Sequence, residues 1–450
     1  MVSRARRAAK WLGACGLAGA GACYADGVRK PELHYCKGGA ASGASATTHA
    51  AALVDACPLL RRTMWPTPWA FNREWQLVLY ELDKKLAKRA PRATFRRQLL
   101  EMRDGGVTAL DWVLDASPGL GRRRPGSAGG PAGPDEAGGA ALPALAEDAP
   151  VCVFFHTITA TQDDQYGQPD FFLAARRRGM RPVVHVRRGH GGLPLRTRRF
   201  STMGDMADVA PALAAVHAAF PAAPVVLVGC SAGSAPVVRY LGDAGAAARA
   251  RHGVVGGVAI CPGFKIPEAW ALTEDPWSGV ILGKVKAFFV ERHAPTWAAG
   301  GAAVQARAAR ALAAETLPEF QEQASLLAGW PSYAAYNAES DPMAPQDAIA
   351  TPLLVIVAEN DPLCVVANAR SAHAERLFAT NEQAVMAITR TGSHLSFLYG
   401  WRGCNWAHDA TFEWLAACCS QQPGGGCGAT KKVPVPDHKA GEGEREERGP

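Results

Sequence analysis

The chain has 450 residues, of which 48% are hydrophobic and 20% charged; this permits a sizeable buried core and excludes a wholly disordered or fibrous protein, while length alone leaves the domain count open. The formal charge of +7 is mostly terminal, because residues 1–30 carry Arg4, Arg6, Arg7, Lys10, Arg29 and Lys30 against Asp26 alone. No basic stripe interleaved with aromatics follows, which sets nucleic acid aside as a partner.

The basic start leads into Trp11–Ala25, an apolar, Gly-rich run too short and too weakly hydrophobic for a confident membrane span. Residues 1–29 therefore read as a targeting or weak membrane-anchor segment. Membrane association through it is the expectation, with organelle targeting and the secretory pathway as alternatives. The remainder, residues 30–420, reads as the folded domain.

Within it, Phe95–Met102 and Val107–Leu114 flank Asp104-Gly105-Gly106, a hairpin signal because glycine tolerates the positive φ of the turn. A run of Gly, Ala and Pro over residues 116–149 has no apolar periodicity and predicts a flexible insertion. Short aliphatic runs then recur at Val151–Phe155, Pro182–Val186, Val225–Val228, Val254–Ile260, Pro352–Ala358 and Val385–Thr389. Between them, Phe171–Gly179, Met203–Phe220, Ala232–Asp243 and Val366–Thr380 have helical length and spacing. This alternation predicts an α/β fold with a mostly parallel sheet covered on both faces. Residues 264–340 hold Trp270, Trp277, Ile281, Leu282, Phe288, Phe289 and Trp297, which predicts either a helical cap lining an acyl pocket and touching lipid or ordinary core packing. Residues 421–450 read as a disordered tail.

Twelve cysteines without a CxxC pair suggest scattered buried thiols, although Cys418, Cys419 and Cys427 leave a local disulfide open. No HExxH or similar spacing supports a metal. Gly279–Lys284 falls one residue short of a phosphate loop and ends before Val285 rather than Ser or Thr, so no nucleotide cofactor is read from it.

The chemistry concentrates at Gly229-Cys230-Ser231-Ala232-Gly233, where a strand meets a helix. Such a turn needs small neighbours, exposes the serine hydroxyl above the sheet edge and aims a helix N-terminus at it. A serine is a poor nucleophile without a base and an orienting acid. Asp361 follows the strand ending at Ala358, and His394 follows the strand ending at Thr389, giving the order Ser, Asp, His used by α/β-hydrolases. Ser231 is the expected nucleophile, His394 the base and Asp361 the group that fixes its tautomer. The oxyanion donors are expected at the Ala232 amide and at Thr157 or Ile158 after Val151–Phe155, with His156 structural.

Several motifs in order, namely Trp65-Pro66-Thr67-Pro68-Trp69, Asp104-Gly105-Gly106, Arg188-Gly189-His190-Gly191-Gly192, Gly204-Asp205 with Asp208, Gly229–Gly233, Asp361-Pro362, and Gly392–Phe397 before Gly400-Trp401, resemble the membrane-anchored α/β-hydrolase-domain esterases. That family includes animal monoacylglycerol lipases and phospholipases, plant embryogenesis-associated proteins and bacterial esterases. The resemblance spans Lys30 to Cys418 and implies a cofactor-free serine hydrolase of lipid carboxylic esters, with its triad on Ser231, Asp361 and His394. The sequence departs from the family at Thr157, where a glycine is usual, and at Ser393, Asn360 and Glu74–Leu77, which predicts an unusual substrate range. An acyltransferase using the same serine and a catalytically silent binding scaffold are the rival readings. Acyl length, head group and oligomeric state are not read from the sequence.

Overall fold

The structure is a computed structural model of the chain that describes residues 21–37, 48–116 and 144–421. Most of the expected insertion 116–149, most of the segment 1–29 and all but one residue of the tail 421–450 lie outside the described residues.

Nine strands form one sheet: β1 Glu32–Tyr35, β2 Ala93–Glu101, β3 Val107–Ala116, β4 Val151–Phe155, β5 Arg181–Val186, β6 Val225–Cys230, β7 Val254–Ile260, β8 Leu353–Ala358 and β9 Ala384–Thr389. Their order is β1-β9-β8-β7-β6-β4-β5-β3-β2. The six strands β5 to β9 and β4 are mutually parallel, while β3 and β2 close one edge and β1 the other in antiparallel sense. All residues of β4, β6, β7, β8 and β9 are buried, as expected where helices cover both faces of parallel strands.

Alternation along each strand feeds two cores. In β4, Cys152 and Phe154 face one core with Phe171, Phe172 and Trp414. Val151, Val153 and Phe155 face the other, with Val209, Leu213 and Leu241. Truncating one of these aromatic side chains, such as Phe154, to alanine removes packing worth about 3–5 kcal/mol.

The six expected strands are present to within two residues, and the hairpin turns at Gly105, with φ +78°. Elsewhere the structure differs from the sequence reading: the helices His49–Ala56, Pro58–Arg61 and Arg73–Arg89 are not expected from it, and the helical stretch expected over Met203–Phe220 begins as a short turn at Met206. Val366–Thr380 is two helices, Val366–Ala369 and Ala372–Thr380, because Ser371 stops the first and caps the second by accepting from the Ala374 amide. β1 is short and half-buried, with the polar sequence Glu-Leu-His-Tyr, so no aliphatic run marks it.

Three helices shape the site: α1 Arg73–Arg89, α2 Ser234–Ala244 and α3 Trp277–Val285. α1 starts at Asn72, whose side chain accepts from the Glu74 and Trp75 amides. Between β7 and β8 the chain makes a set of helices from Ile266 to Ser340 that includes α3. They share a core of their own in which Phe288, Phe289 and Trp297 pack with Phe200 and Phe320. Of the apolar residues noted in this region, these three serve packing, whereas Trp270 belongs to the same core, Ile281 packs against it, and both also face a cleft. Gly279–Lys284 lies inside α3, a helix rather than a loop.

Several of the ordered motifs are scaffold. Arg188 makes a two-point ion pair with Asp208 at 2.7 Å on each branch and reaches Asp104 with its remaining nitrogen. The hairpin turn, β5 and the helix after Asp208 are thereby tied together.

Candidate active site

At the end of β6 the backbone turns sharply, and Ser231 takes φ +54°, a conformation non-glycine residues rarely adopt. The turn is possible because its flanking residues lack side chains. A Cβ on Gly229 would lie 2.2 Å from the Gly233 carbonyl oxygen, and one on Gly233 would lie 2.0 Å from that of Phe155. Ser231 opens a short 3-10 turn, Ser231–Gly233, that runs into α2.

The loops after β8 and β9 deliver two further groups to this turn. His394 Nε2 lies 2.9 Å from Ser231 Oγ, and His394 Nδ1 lies 2.9 Å from an Asp361 carboxylate oxygen. The other Asp361 oxygen accepts from the Leu363 and Cys364 amides at 2.8 and 3.0 Å, which fixes the carboxylate plane. Burial alone would raise the Asp361 carboxyl, but the His394 ring and the two amides outweigh it and hold it below its usual range. For His394, burial opposes the charged form, yet the adjacent Asp361 carboxylate wins and the imidazole sits well above its ordinary 6.5. Burial pushes the neighbouring Cys261 thiol up to about 12 and raises the Cys364 thiol as well, so both are neutral at pH 7.

Residues 165–394 match the family model described as serine aminopeptidase, S33, a span of about half the chain that begins after Thr157 and Ile158 and ends on His394. The chain belongs to this α/β-hydrolase family. Human protein ABHD15 is 29% identical over 72% of this chain, and the match spans 63% of the human protein's length. Mouse phospholipase ABHD3 is 23% identical over 77% of this chain and 76% of its own, and the Picea glauca embryogenesis-associated protein EMB8 is 25% identical over 71% and 65%. These are the relatives that the sequence motifs resemble. Among solved structures, the Pyrobaculum calidifontis esterase is 14% identical, covering 77% of this chain and 88% of that one with a TM-score of 0.43.

As in a serine hydrolase, the serine opens onto a cleft. Ser231, Ala232, His394, Thr157 and Ile158 all border it, so the residues singled out from sequence come together, apart from Asp361, which stands behind His394. The cleft encloses about 830 Å³ including its mouth. Met203, Ala235, Trp270, Ile281, Leu363 and Leu395 supply apolar walls.

The departure at Thr157 has a physical resolution. Neither Thr157 nor Ile158 adopts a positive φ, so a β-branched residue fits that loop without strain. The loop is held from behind by Arg187, which is buried and donates to the Thr157 and His156 carbonyls and, at 2.9 Å, to Thr202. None of these partners is a carboxylate, and burial lowers the Arg187 guanidinium to about 9. His156 bonds the Thr157 carbonyl at 2.9 Å and, fully buried, is held well below 6.5, which keeps it neutral. His190 lies 2.9 Å from the Ile158 carbonyl. Sequence reasoning passed over Arg187; its one signal is a place directly after β5, on the sheet edge where the site forms.

Two other groups also escaped that reading. Cys261 Sγ, an Asp361 oxygen and a His394 nitrogen lie within 4.8 Å of one another; a soft divalent cation could use these donors only by displacing the hydrogen bonds to His394. At the cleft mouth, Lys84 of α1 and Lys284 of α3 both approach the same Glu81 oxygen at 3.2 Å. Burial opposes ionisation of Glu81, but the two ammonium groups hold its carboxyl below the usual value.

Proposed function

We propose that the protein hydrolyses carboxylic esters with an apolar acyl chain, of the acylglycerol or phospholipid kind, through an acyl-enzyme on Ser231. The observation that carries this reading is the unbroken hydrogen-bonded sequence Ser231–His394–Asp361 on the floor of an apolar cleft. Ser231 Oγ attacks the acyl carbonyl while His394 Nε2 takes its proton and passes it to the departing alcohol. Asp361 keeps the other proton on Nδ1 and stabilises the imidazolium. The oxyanion is held by the Ala232 amide and by an amide of the Thr157–Ile158 loop. Water then enters, activated by the same histidine, and releases the acid.

The charge at the mouth favours an ester over a peptide with a free amino end. Among the described residues lining the cleft the only carboxylate is Glu81, and two lysines already share it. An incoming α-ammonium group would meet net positive charge there. The phospholipase named among the relatives points in the same direction.

Fluorophosphonate labelling of the full chain, read by mass spectrometry, tests the proposal. One adduct on Ser231, absent from Ser231→Ala, together with turnover of acyl esters of graded length, is the expected result. Folded protein that takes no label would instead support a binding scaffold. Turnover of aminoacyl amides above esters would overturn the substrate assignment, and product analysis with added alcohol separates hydrolysis from acyl transfer.

A further inference from the structure

Helix α1 buries little of what it carries. Of its seventeen residues only Gln76, Leu77 and Ala87 are buried, whereas Trp75, Val78, Leu82 and Leu86 are each 47–49% exposed. Spaced three, four and four apart, these four fall within roughly 80° of the helix circumference. They form a continuous outward stripe on a helix whose opposite face already packs on the domain.

The stripe meets a second exposed apolar cluster at its N-terminal end. Trp65, Trp69 and Trp401 project into solvent, Trp401 to 73%. Trp69 Nε1 donates to the Trp401 carbonyl at 2.9 Å, and the Gly400 amide donates to the Trp65 carbonyl at 2.8 Å. The segment carrying Trp65 and Trp69 runs directly into the Asn72 cap, so Trp75 follows at once. Exposed indoles gathered in this way suit the boundary between water and lipid, where the ring is apolar and its N–H finds a partner.

Charge on this face is complementary to an anionic surface. Lys85, Lys88 and Arg89 are exposed at the far end of the helix. Tyr24 packs edge-on against Phe71, at 5.9 Å between ring centroids and one residue before the helix cap.

The inward side of the same helix borders the cleft. Tyr80, Glu81 and Lys84 of α1 line it, as do Ile281 and Lys284 of α3. Trp277 Nε1 donates to Glu74 at 2.9 Å and Lys284 to Glu81 at 3.2 Å. Both pairs have the same sequence offset of 203 residues, so the two helices run parallel along the mouth. Val280, on α3 between those two contacts, is exposed as well.

We propose that the α1 stripe and the Trp65–Trp69–Trp401 cluster form the seat on which this protein docks to an anionic phospholipid bilayer, which brings the cleft that α1 lines close to the membrane surface. The apolar side chains enter the boundary between head groups and acyl chains, and the basic end of α1 is drawn to the surface charge. An ester-bearing lipid then has only the width of α1 to cross between the bilayer and the cleft that holds Ser231. The second step rests on the lipid-ester reading above; the docking does not.

The test uses the full chain and vesicles of phosphatidylcholine with or without phosphatidylglycerol, scored by co-sedimentation and by quenching of tryptophan fluorescence with brominated acyl chains. Wild type is expected to bind the anionic vesicles, less tightly as salt rises. The triple variant Trp75→Ser/Val78→Ser/Leu82→Ser should bind about tenfold or more weakly. The variant Leu99→Ser/Leu114→Ser, altered at equally exposed leucines of the β2–β3 hairpin, should bind as wild type. All three should hydrolyse a short, water-soluble ester equally. Undiminished vesicle binding by the triple variant would overturn the proposal and leave residues 1–20 as the attachment. Loss of self-association without loss of vesicle binding, seen by sedimentation velocity, would overturn it in favour of a second copy of the chain. If no form hydrolyses the soluble ester the functional reading fails, and the vesicle comparison still decides the docking.

Discussion

On the floor of the cleft, Ser231, Asp361 and His394 each follow within five residues of a fully buried strand, and every polar atom that links them has a fixed partner. At the rim, Glu81, Lys84 and Lys284 come from two helices, each partly open to water, and share one carboxylate oxygen. The floor is built in a region of low dielectric, where a misplaced charge or an unsatisfied donor is costly; the rim is built where solvent compensates for most changes. Perturbing the floor should therefore alter the chemistry and leave binding intact. Perturbing the rim should do the reverse.

The sharpest break is expected from Ser231→Ala. Removing the nucleophile of a hydrogen-bonded triad lowers turnover by roughly 10⁶-fold while leaving oxyanion and substrate contacts in place. Ester turnover within tenfold of wild type, on protein shown to be folded, would remove Ser231 from the mechanism.

Next comes Asp361→Asn, expected to lower turnover by about 10⁴-fold because the amide presents the wrong partner to His394 Nδ1. The same substitution tests the sign of the pH dependence. Only neutral His394 can accept the serine proton, so activity is lost as pH falls through its pKa. Asp361 raises that pKa above 6.5, which places the acid limb of the wild-type rate profile above 6.5. In Asp361→Asn the residual activity should show a limb displaced toward acid. A wild-type limb at or below 6.5 would mean that burial of His394, not its carboxylate partner, sets the balance.

This contrast between floor and rim also explains what the sequence could disclose. Ser231, Asp361 and His394 were legible because parallel strands are unbroken aliphatic runs, and the residues just beyond their C-terminal ends are where such a sheet presents chemistry. The Thr157–Ile158 loop was legible for the same reason. α1 was not, since Leu77 and Tyr80 face inward while Trp75, Val78 and Leu82 face outward, and apolar residues on two faces leave no single stripe to count. The lysine–glutamate contact at the mouth joins positions 81 and 284, a pairing set only by how the helices after β7 fold back over the sheet. β1 lacked any aliphatic signal, being a four-residue edge strand recruited by β9.

Arg187 belongs to the floor although it touches none of the three reacting side chains. Replacing it with glutamine shortens the reach to the Thr157, His156 and Thr202 carbonyls and lets the oxyanion loop drift. A misplacement of even about 1 Å near the reacting centre can lower a rate on the order of a hundredfold. The expected result is a fall in kcat of about ten- to a hundredfold with KM nearly unchanged, and slower but complete fluorophosphonate labelling of Ser231. A rise in KM alone would show that Arg187 shapes the pocket and not the oxyanion loop.

The smallest effect is expected from Lys284→Ala at the rim. Its side chain is 40% exposed and that of Glu81 34%, so their attraction is screened and worth no more than about 1 kcal/mol. Glu81 also keeps Lys84 at 3.2 Å, and no buried charge is stranded by the change. The thermal midpoint should therefore move by only a few degrees, and kcat on a short soluble ester should stay within about twofold. What should change is selectivity, because a carboxylate freed of one ammonium group tolerates an incoming cation better. The ratio of kcat/KM for a cationic ester over its neutral analogue should rise, by roughly two- to fivefold at low salt and less at high salt. If that ratio stays fixed while the midpoint falls steeply, Lys284 acts as a structural clamp between α1 and α3, and the charge at the mouth plays no part in choosing what enters.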